Sequence, residues 1–163
     1  MELKETIEKL ESNKEFQEWH KKHRDFFLAH AFVMLDEANI DIWQIGFFNP
    51  EQSVMTTFFV ENEKLKILPN QEVLKSNIEI HPLLYENVTF LSQAAMNEAT
   101  QLLRTEFKNP KVVKTFFIIQ QFHEKPVYNI TFFTQAFKTI NIKINAVDGT
   151  ILQKTEATLA DFS

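Results

Sequence analysis

Two histidines on a predicted helix are the first candidates for chemistry. His20 and His23 lie three residues apart, and Glu15, Glu18 or Asp25 could add a carboxylate ligand. A structural or catalytic zinc site needs three or four protein ligands held in place by further hydrogen bonds. Two histidines among lysines and glutamates are more typical of a solvated surface. We therefore expect no metal site and treat His20 and His23 only as weak candidates.

A third histidine stands inside an apolar run. His30 lies in the segment Phe26 to Leu35, which is interpreted as a strand buried on both faces, although a helix is the competing interpretation. A general base or a pH-sensitive group is one role for such a histidine. The favoured interpretation is a packed histidine bonded to backbone or water, because no Ser, Cys or Thr nucleophile is identifiable beside it.

The other usual catalytic parts are missing from the sequence. The 163 residues include no cysteine, which excludes disulfides, thiolate nucleophiles and cysteine-bound metals. The two glycines, Gly46 and Gly149, cannot form a glycine-rich phosphate loop. Asp36-Glu37 and His123-Glu124 follow predicted strands and are interpreted as turn residues rather than a catalytic pair. We expect no catalytic residue, no cofactor and no enzymatic activity.

Charge and hydropathy limit the partners. The net charge is −5, and no basic run exceeds Lys21-Lys22-His23-Arg24, which argues against a nucleic-acid partner. The amino terminus is charged, and no stretch reaches the ~18 apolar residues of a membrane span. The sequence as it stands predicts a cytoplasmic location without a membrane segment. An extracytoplasmic location would apply if a leader had been removed.

Hydrophobic periodicity predicts helices and strands in a repeated order. Residues 139–146 alternate between apolar and polar side chains, and Asp148-Gly149 provides a hairpin turn. Residues 88–107 form the clearest helix, in which Ala95 and Ala99 would allow close approach to a sheet. The other predicted helices and strands lie at 2–11, 13–23, 26–35, 40–48, 54–60, 65–68 and 112–122, and residues 128–152 are interpreted as strand, turn, strand, tight turn and strand.

This order suggests a duplication with an offset of 85 residues. The offset aligns Phe32 with Phe117, Phe47 with Phe132 and Phe59 with Ile144. The alternative is that any two antiparallel meanders share such a pattern. We expect an α+β fold of two tandem helix-plus-antiparallel-sheet units. The predicted units are 1–68, which begins with a helical pair, and 88–163, joined by a connector at 69–87.

The end of the second unit resembles a PepSY domain. The run Ile144 to Leu152, INAVDGTIL, is similar to the valine-aspartate-alanine, threonine-glycine and valine-leucine signature of that family. Ala146, Gly149 and Leu152 fit the pattern, whereas Asn145 and Asp148 depart from it. The resemblance covers about 90–155. It implies cystatin-like units with a helix across each sheet, and a role in peptidase control or extracytoplasmic binding.

Phenylalanine pairs carry the functional prediction. Five predicted strands contain two adjacent Phe residues, so each presents one aromatic to each face. One helix covers one face, and the other face then meets the sister sheet, a ligand or a partner. We predict a non-enzymatic protein-binding or regulatory module, with a protein partner or self-association. The candidate contact residues are His30, Trp43, Phe48, Phe58, Phe116, Tyr128 and Phe133.

The alternative function is a small-ligand-binding protein or a weak enzyme. It would have an apolar pocket between helix and sheet, with His30, Trp43 or Tyr128 as inward polar groups. An exposed aromatic face would instead indicate the interaction module.

Overall fold

The computed structural model describes residues 2–35, 42–61, 64–74 and 79–158. These residues form three α-helices, eight strands and one short 3-10 turn at Tyr85–Asn87. The helices are α1 (Leu3–Ser12), α2 (Lys14–Lys22) and α3 (Ser92–Glu106). The strands are β1 (Phe27–Leu35), β2 (Trp43–Asn49), β3 (Val54–Glu61), β4 (Lys64–Glu72), β5 (Val112–Phe122), β6 (Lys125–Thr134), β7 (Lys138–Asn145) and β8 (Ile151–Thr158).

All eight strands belong to one antiparallel sheet. Its order is β4-β3-β2-β1-β5-β6-β7-β8, in which β1 pairs directly with β5. The prediction of two tandem helix-plus-sheet units is therefore wrong, because both meanders share one sheet. The first strand of each meander would otherwise expose an edge of unpaired amides and carbonyls, and pairing β1 with β5 removes both edges. Ala31 opposite Ile119 and Val33 opposite Phe117 join the two halves through the same core.

The three helices cover one face of this sheet. Their apolar residues repeat at helical spacing and enter one core cluster with the inward residues of the strands. In α1 these are Leu3, Ile7 and Leu10. The same cluster contains Phe16 from α2 and Ala95, Ala99 and Leu103 from α3. The strand predicted at 26–35 is present as β1, and the competing helix is excluded.

We expect Ala99→Leu to destabilise the fold by about 1–3 kcal/mol, because overpacking a filled core forces strain. Ala99 is fully buried where α3 lies on the sheet. Asn97→Leu is the matched control, since Asn97 is on the same helix but exposed. Urea denaturation of both variants is the measurement. An unchanged midpoint for Ala99→Leu would show that the helix has room against the sheet.

The 85-residue register is wrong for two of its three pairs. Phe47 and Phe132 both face the core, but Phe117 and Ile144 face the core while their predicted counterparts face away from it. The hairpin from Phe47 to its partner Thr56 is one residue longer than that from Phe132 to its partner Ile140. That extra residue moves the side chains after it, including Phe59, to the other face, and an irregularity in β1 between Leu28 and His30 changes the face of Phe32. The side-chain faces therefore do not support the predicted repeat.

We call the side of the sheet opposite the helices the open face. At one end Val73 and Ile80 pack onto it against Phe27, Phe48 and Met55. The pairing registers place the following side chains on this face: Phe27, His30, Phe32, Met34, Gln44, Gly46, Phe48, Met55, Thr57, Phe59, Glu61, Lys64, Lys66, Leu68, Gln71, Lys114, Phe116, Ile118, Gln120, Phe122, Lys125, Val127, Asn129, Thr131, Phe133, Thr139, Asn141, Lys143, Asn145, Gln153, Thr155 and Ala157.

Candidate functional site

A row of aromatic side chains crosses the centre of the open face. The ring of Phe32 lies 5.6 Å from that of Phe116, which lies 5.0 Å from that of Phe133. The last pair meets nearly edge to face, at an interplanar angle of 77°. All three side chains are half-buried. We call these three residues the aromatic row. It lies on three neighbouring strands because β1 pairs with β5 and β5 with β6.

The aromatic row leads into a groove at one end of the sheet. The groove has a volume of about 460 Å³, and its apolar walls are Val113, Phe116, Phe133 and Phe137. Val113 is 58% exposed and Phe137 is 73% exposed. The turn between β6 and β7 places Phe137 there, with its N–H donating to the Thr134 carbonyl at 3.1 Å. The groove is therefore an apolar surface in contact with solvent.

Lysines border the aromatic side chains of the open face. The Lys66 ammonium lies 5.5 Å from the ring centre of Phe59, within the range of a cation–π interaction. Lys114 lies opposite Phe133 in the β5–β6 pair and lines the groove. Lys143 on β7 donates to Gln153 at 2.9 Å. The open face thus combines aromatic and cationic groups on a chain whose net charge is −5.

The β6–β7 part of the open face is polar and internally bonded. Asn141 donates to the side-chain oxygen of Asn129 at 2.6 Å and to the Thr131 hydroxyl at 2.9 Å. Because these groups satisfy one another, they fix side chains in place, and the aromatic row beside them is apolar.

His30 stands beside the aromatic row and packs on a glycine. A Cβ added to Gly46 would lie 2.5 Å from His30 Cε1, so the imidazole ring rests directly on the Gly46 backbone. Burial lowers the pKa of His30 below its ordinary value of 6.5, because desolvation disfavours the charged imidazolium. Its cross-strand neighbours Gly46 and Gln120 carry no charge. The structure agrees with a packed, neutral histidine, and among the residues that it describes no nucleophile is paired with His30.

Stability should fall as the pH drops below 6.5 because of His30. Its folded-state pKa is lower than 6.5, so the unfolded chain binds more protons below that pH. The resulting slope is at most about 1.4 kcal/mol per pH unit for one group. Urea unfolding at several pH values, compared with His30→Gln, measures this contribution. An identical pH profile in the variant would show that His30 is not desolvated in the folded chain.

Four of the predicted contact residues are buried and do not form one site. Trp43 and Phe58 lie in the main core, at 4% and 0% exposure. Phe48 packs in the small cluster under Val73 and Ile80. Tyr128 is fully buried, and its hydroxyl donates to the Phe90 carbonyl.

Burial is also the main cause of a raised pKa at Tyr128, which reaches about 12, so this phenol is neutral at physiological pH. Such a group satisfies a buried carbonyl and does not act as an acid or base near neutral pH.

A small cavity separates α3 from the sheet. It holds about 100 Å³ and is lined by both apolar and polar residues, which are Val33, Leu35, Trp43, Met96, Phe117, Glu2, Ser92 and Gln93. Glu2 accepts hydrogen bonds from the backbone N–H groups of Ser92 at 2.8 Å and Gln93 at 3.3 Å, which caps α3. His30 and Tyr128 are not among its lining residues. The cavity is far smaller than the ~300–1,000 Å³ of ordinary ligand pockets.

The α2 histidines are held by aromatic rings. His20 stacks on Phe16 at 5.4 Å between ring centres, and His23 stacks on Trp19 at 4.7 Å. The Nδ1 atom of His23 lies 2.7 Å from the Trp19 carbonyl oxygen. Within residues 2–35, 42–61, 64–74 and 79–158, no three His, Asp or Glu residues are grouped as metal ligands.

The remaining polar candidates give no further chemistry. The Asp36-Glu37 candidate lies outside the described residues. His123 and Glu124 form the β5–β6 turn, with a φ of 55° at His123.

Sequence reasoning missed Val113 and Phe137. Val113 follows Val112 at the start of a strand, and Phe137 lies in a turn, where periodicity carries no information. A signal was nonetheless present in the turn, because Phe137 is an aromatic in a short polar segment between two strands.

No family model matches the chain. No curated protein sequence matches it either. Its fold is similar to the crystal structure of a putative lipoprotein from Clostridium difficile 630, with a TM-score of 0.53 over 88% of this chain and 90% of that chain. Over the described part of the chain, no helix has the length and apolar content needed to cross a bilayer. At 13% identity, the similarity to the solved structure concerns the architecture alone.

Proposed function

We propose that the protein is a non-enzymatic binding module that docks another polypeptide on its open face. The observation that carries this proposal is the aromatic row on the face away from the helices. Phe116 and Phe133, both named from the sequence as contact residues, belong to this row. Contiguous apolar patches on a protein surface typically mark interaction sites.

The open face also has a suitable size. Eight strands spaced by about 4.8 Å, each of about eight residues at about 3.3 Å, give a face of roughly 1,000 Å². A standard protein–protein interface buries about 800 Å² on each partner. The aromatic row and the groove occupy only part of this face, so a partner must cover most of the open face to bury the area of a standard interface.

The open face of the sheet is better suited to docking than its two edges. The edge strand β4 carries Lys64, Lys66 and Pro69, and the other edge strand, β8, carries Lys154 and Glu156. Charged residues and proline at a sheet edge discourage the addition of another strand. This supports side-chain contacts on the open face over backbone pairing.

The resemblance to PepSY domains suggests what kind of polypeptide would dock. Under it, the docked polypeptide would be a peptidase, and the binding would control its activity. A location outside the cytoplasm fits this role, and the name of the structural neighbour from Clostridium difficile 630 points the same way. The small-ligand alternative is less well supported, because the cavity beneath α3 holds only about 100 Å³.

Site-specific photo-cross-linking tests the proposal. A photoreactive phenylalanine analogue at Phe116 should form an adduct of discrete mass with a second polypeptide in native extract or with another copy. The matched control carries the analogue at Glu98, which is exposed on α3 away from the open face. Light scattering then distinguishes self-association from a different partner. Equal adducts at both sites, or none at Phe116, would refute docking on the open face.

A further inference from the structure

We infer that the groove takes an apolar side chain of a partner segment in which Asp or Glu residues flank that side chain. The inference rests on the proposed docking function and names the chemistry of the docked polypeptide. It follows from two features of the groove, its exposed apolar walls and the positive charge of Lys114, the charged residue among those that line it.

Phe137 stands in a tight turn with an unfavourable backbone conformation. Phe137 has a φ of 59°, in the left-handed region that bulky side chains rarely adopt. Lys138 N–H donates to the Thr134 hydroxyl at 3.2 Å, which helps to hold the turn. The result is an aromatic ring that is 73% exposed beside exposed Val113. Strained residues of this kind concentrate at binding sites, and here the strain presents an apolar anchor point.

The charges around the aromatic groups are positive. Lys66, Lys114 and Lys143 project from the interiors of β4, β5 and β7 onto the open face. By the same registers Glu61 also lies on this face, but at a hairpin rather than in the interior of a strand. Glu61, at the end of β3, lies opposite Lys64 at the hairpin. A chain with 22 acidic and 17 basic residues thus keeps the interior of this face free of described carboxylates.

This charge pattern selects among possible partners. Complementary charges favour a partner whose carboxylates meet the lysines and disfavour one with like charges. In a face-to-face contact between two copies, cationic faces oppose each other, so the second copy is a poorer fit. A segment with Asp or Glu around a Phe or Leu places its carboxylates near Lys114 while the apolar side chain enters the groove.

Other anionic macromolecules fit less well. Nucleic acid would need free ring faces for base stacking, whereas Phe116 and Phe133 are half-buried and meet edge to face. The net charge of −5 also repels a long polyanion. A lipid surface would need apolar groups that protrude over a wide area, whereas the aromatic row is half-buried.

Peptide selection and binding test the inference. Selection from a random displayed-peptide library should enrich segments with Phe or Leu flanked by Asp or Glu. Fluorescence polarisation then compares the labelled peptide Asp-Phe-Asp-Leu-Asp-Phe with Lys-Phe-Lys-Leu-Lys-Phe. We expect the acidic peptide to bind at least about tenfold more tightly, which corresponds to about 1.4 kcal/mol.

A charge reversal locates the site. Lys114→Glu should abolish or invert the preference between the two peptides, whereas Lys125→Glu at the opposite end of β5–β6 should preserve it. Far-UV circular dichroism establishes that both variants are folded. Equal binding of both peptides, a preference for the basic peptide, or no binding would overturn the inference.

The outcome is separable from that of the docking proposal. Adduct formation at Phe116 without any charge preference would reject the acidic partner and keep the docking function. Single-stranded oligonucleotides or anionic vesicles could instead bind the protein in the same polarisation assay. If that binding were lost in Lys114→Glu, the face would be reassigned to that class of partner and the inference would be overturned.

Discussion

Replacing Phe58 by Ala should lower the free energy of unfolding by about 3–5 kcal/mol, as expected for removal of a large buried aromatic. Phe58 is 0% exposed and contacts the rings of Phe16, Trp19 and Phe47 at 5.1, 4.8 and 5.6 Å between centres. These contacts join α2 to the sheet. The loss should therefore appear in urea denaturation as a large fall in midpoint.

Phe59→Ala is the matched control for this prediction. Phe59 is the next residue on β3, but it faces the open side and is half-buried. Its removal should cost clearly less stability than that of Phe58. Similar losses in the two variants would mean that the open face is covered as completely as the helix face, and the account of two different faces would be wrong.

The second large effect is expected at Gly46. Gly46→Ala places a Cβ 2.5 Å from His30 Cε1, and displacing the packed ring should cost about 1–3 kcal/mol. Relieving the clash with His30→Ala should make the same Gly46→Ala change nearly neutral. Since a Gly in a strand interior is itself unfavourable, the change could then stabilise the fold by up to about 1 kcal/mol.

A double-mutant cycle separates these effects. Urea denaturation of the two single variants and the double variant gives the coupling energy between the two positions. Additive losses would show that His30 does not rest on Gly46. In that case, the lowered pKa of His30 would need another cause.

Local structure was predictable from the sequence because strand and helix periods differ. The alternation in 139–146 predicted a strand with a defined inward face, which is present as β7. The spacing of Leu3, Ile7 and Leu10 predicted the helix α1. The pairing of β1 with β5 was not predictable, because both strands carry apolar residues on both faces. Nothing in such a run shows which neighbour covers which side.

The candidate site was predictable only in part, for the same reason. In each adjacent Phe pair one ring faces the core and one faces away, but the pair itself does not show which. Lys114 and Gln120 lie on the same side of β5 as Phe116, and this polar neighbourhood was the available signal. No such signal distinguishes Phe58, which was predicted as a contact residue and lies in the core.

Docking on the open face is tested most directly by a fluorescent label at its centre. The chain has no cysteine, so Ile118→Cys carries a single environment-sensitive dye beside Phe32. The control dye is attached at Glu98→Cys on α3. On titration with the polypeptide that cross-links to Phe116, we predict a saturable blue shift at position 118 and none at position 98. A shift only at position 98, or no shift at either, would contradict the account.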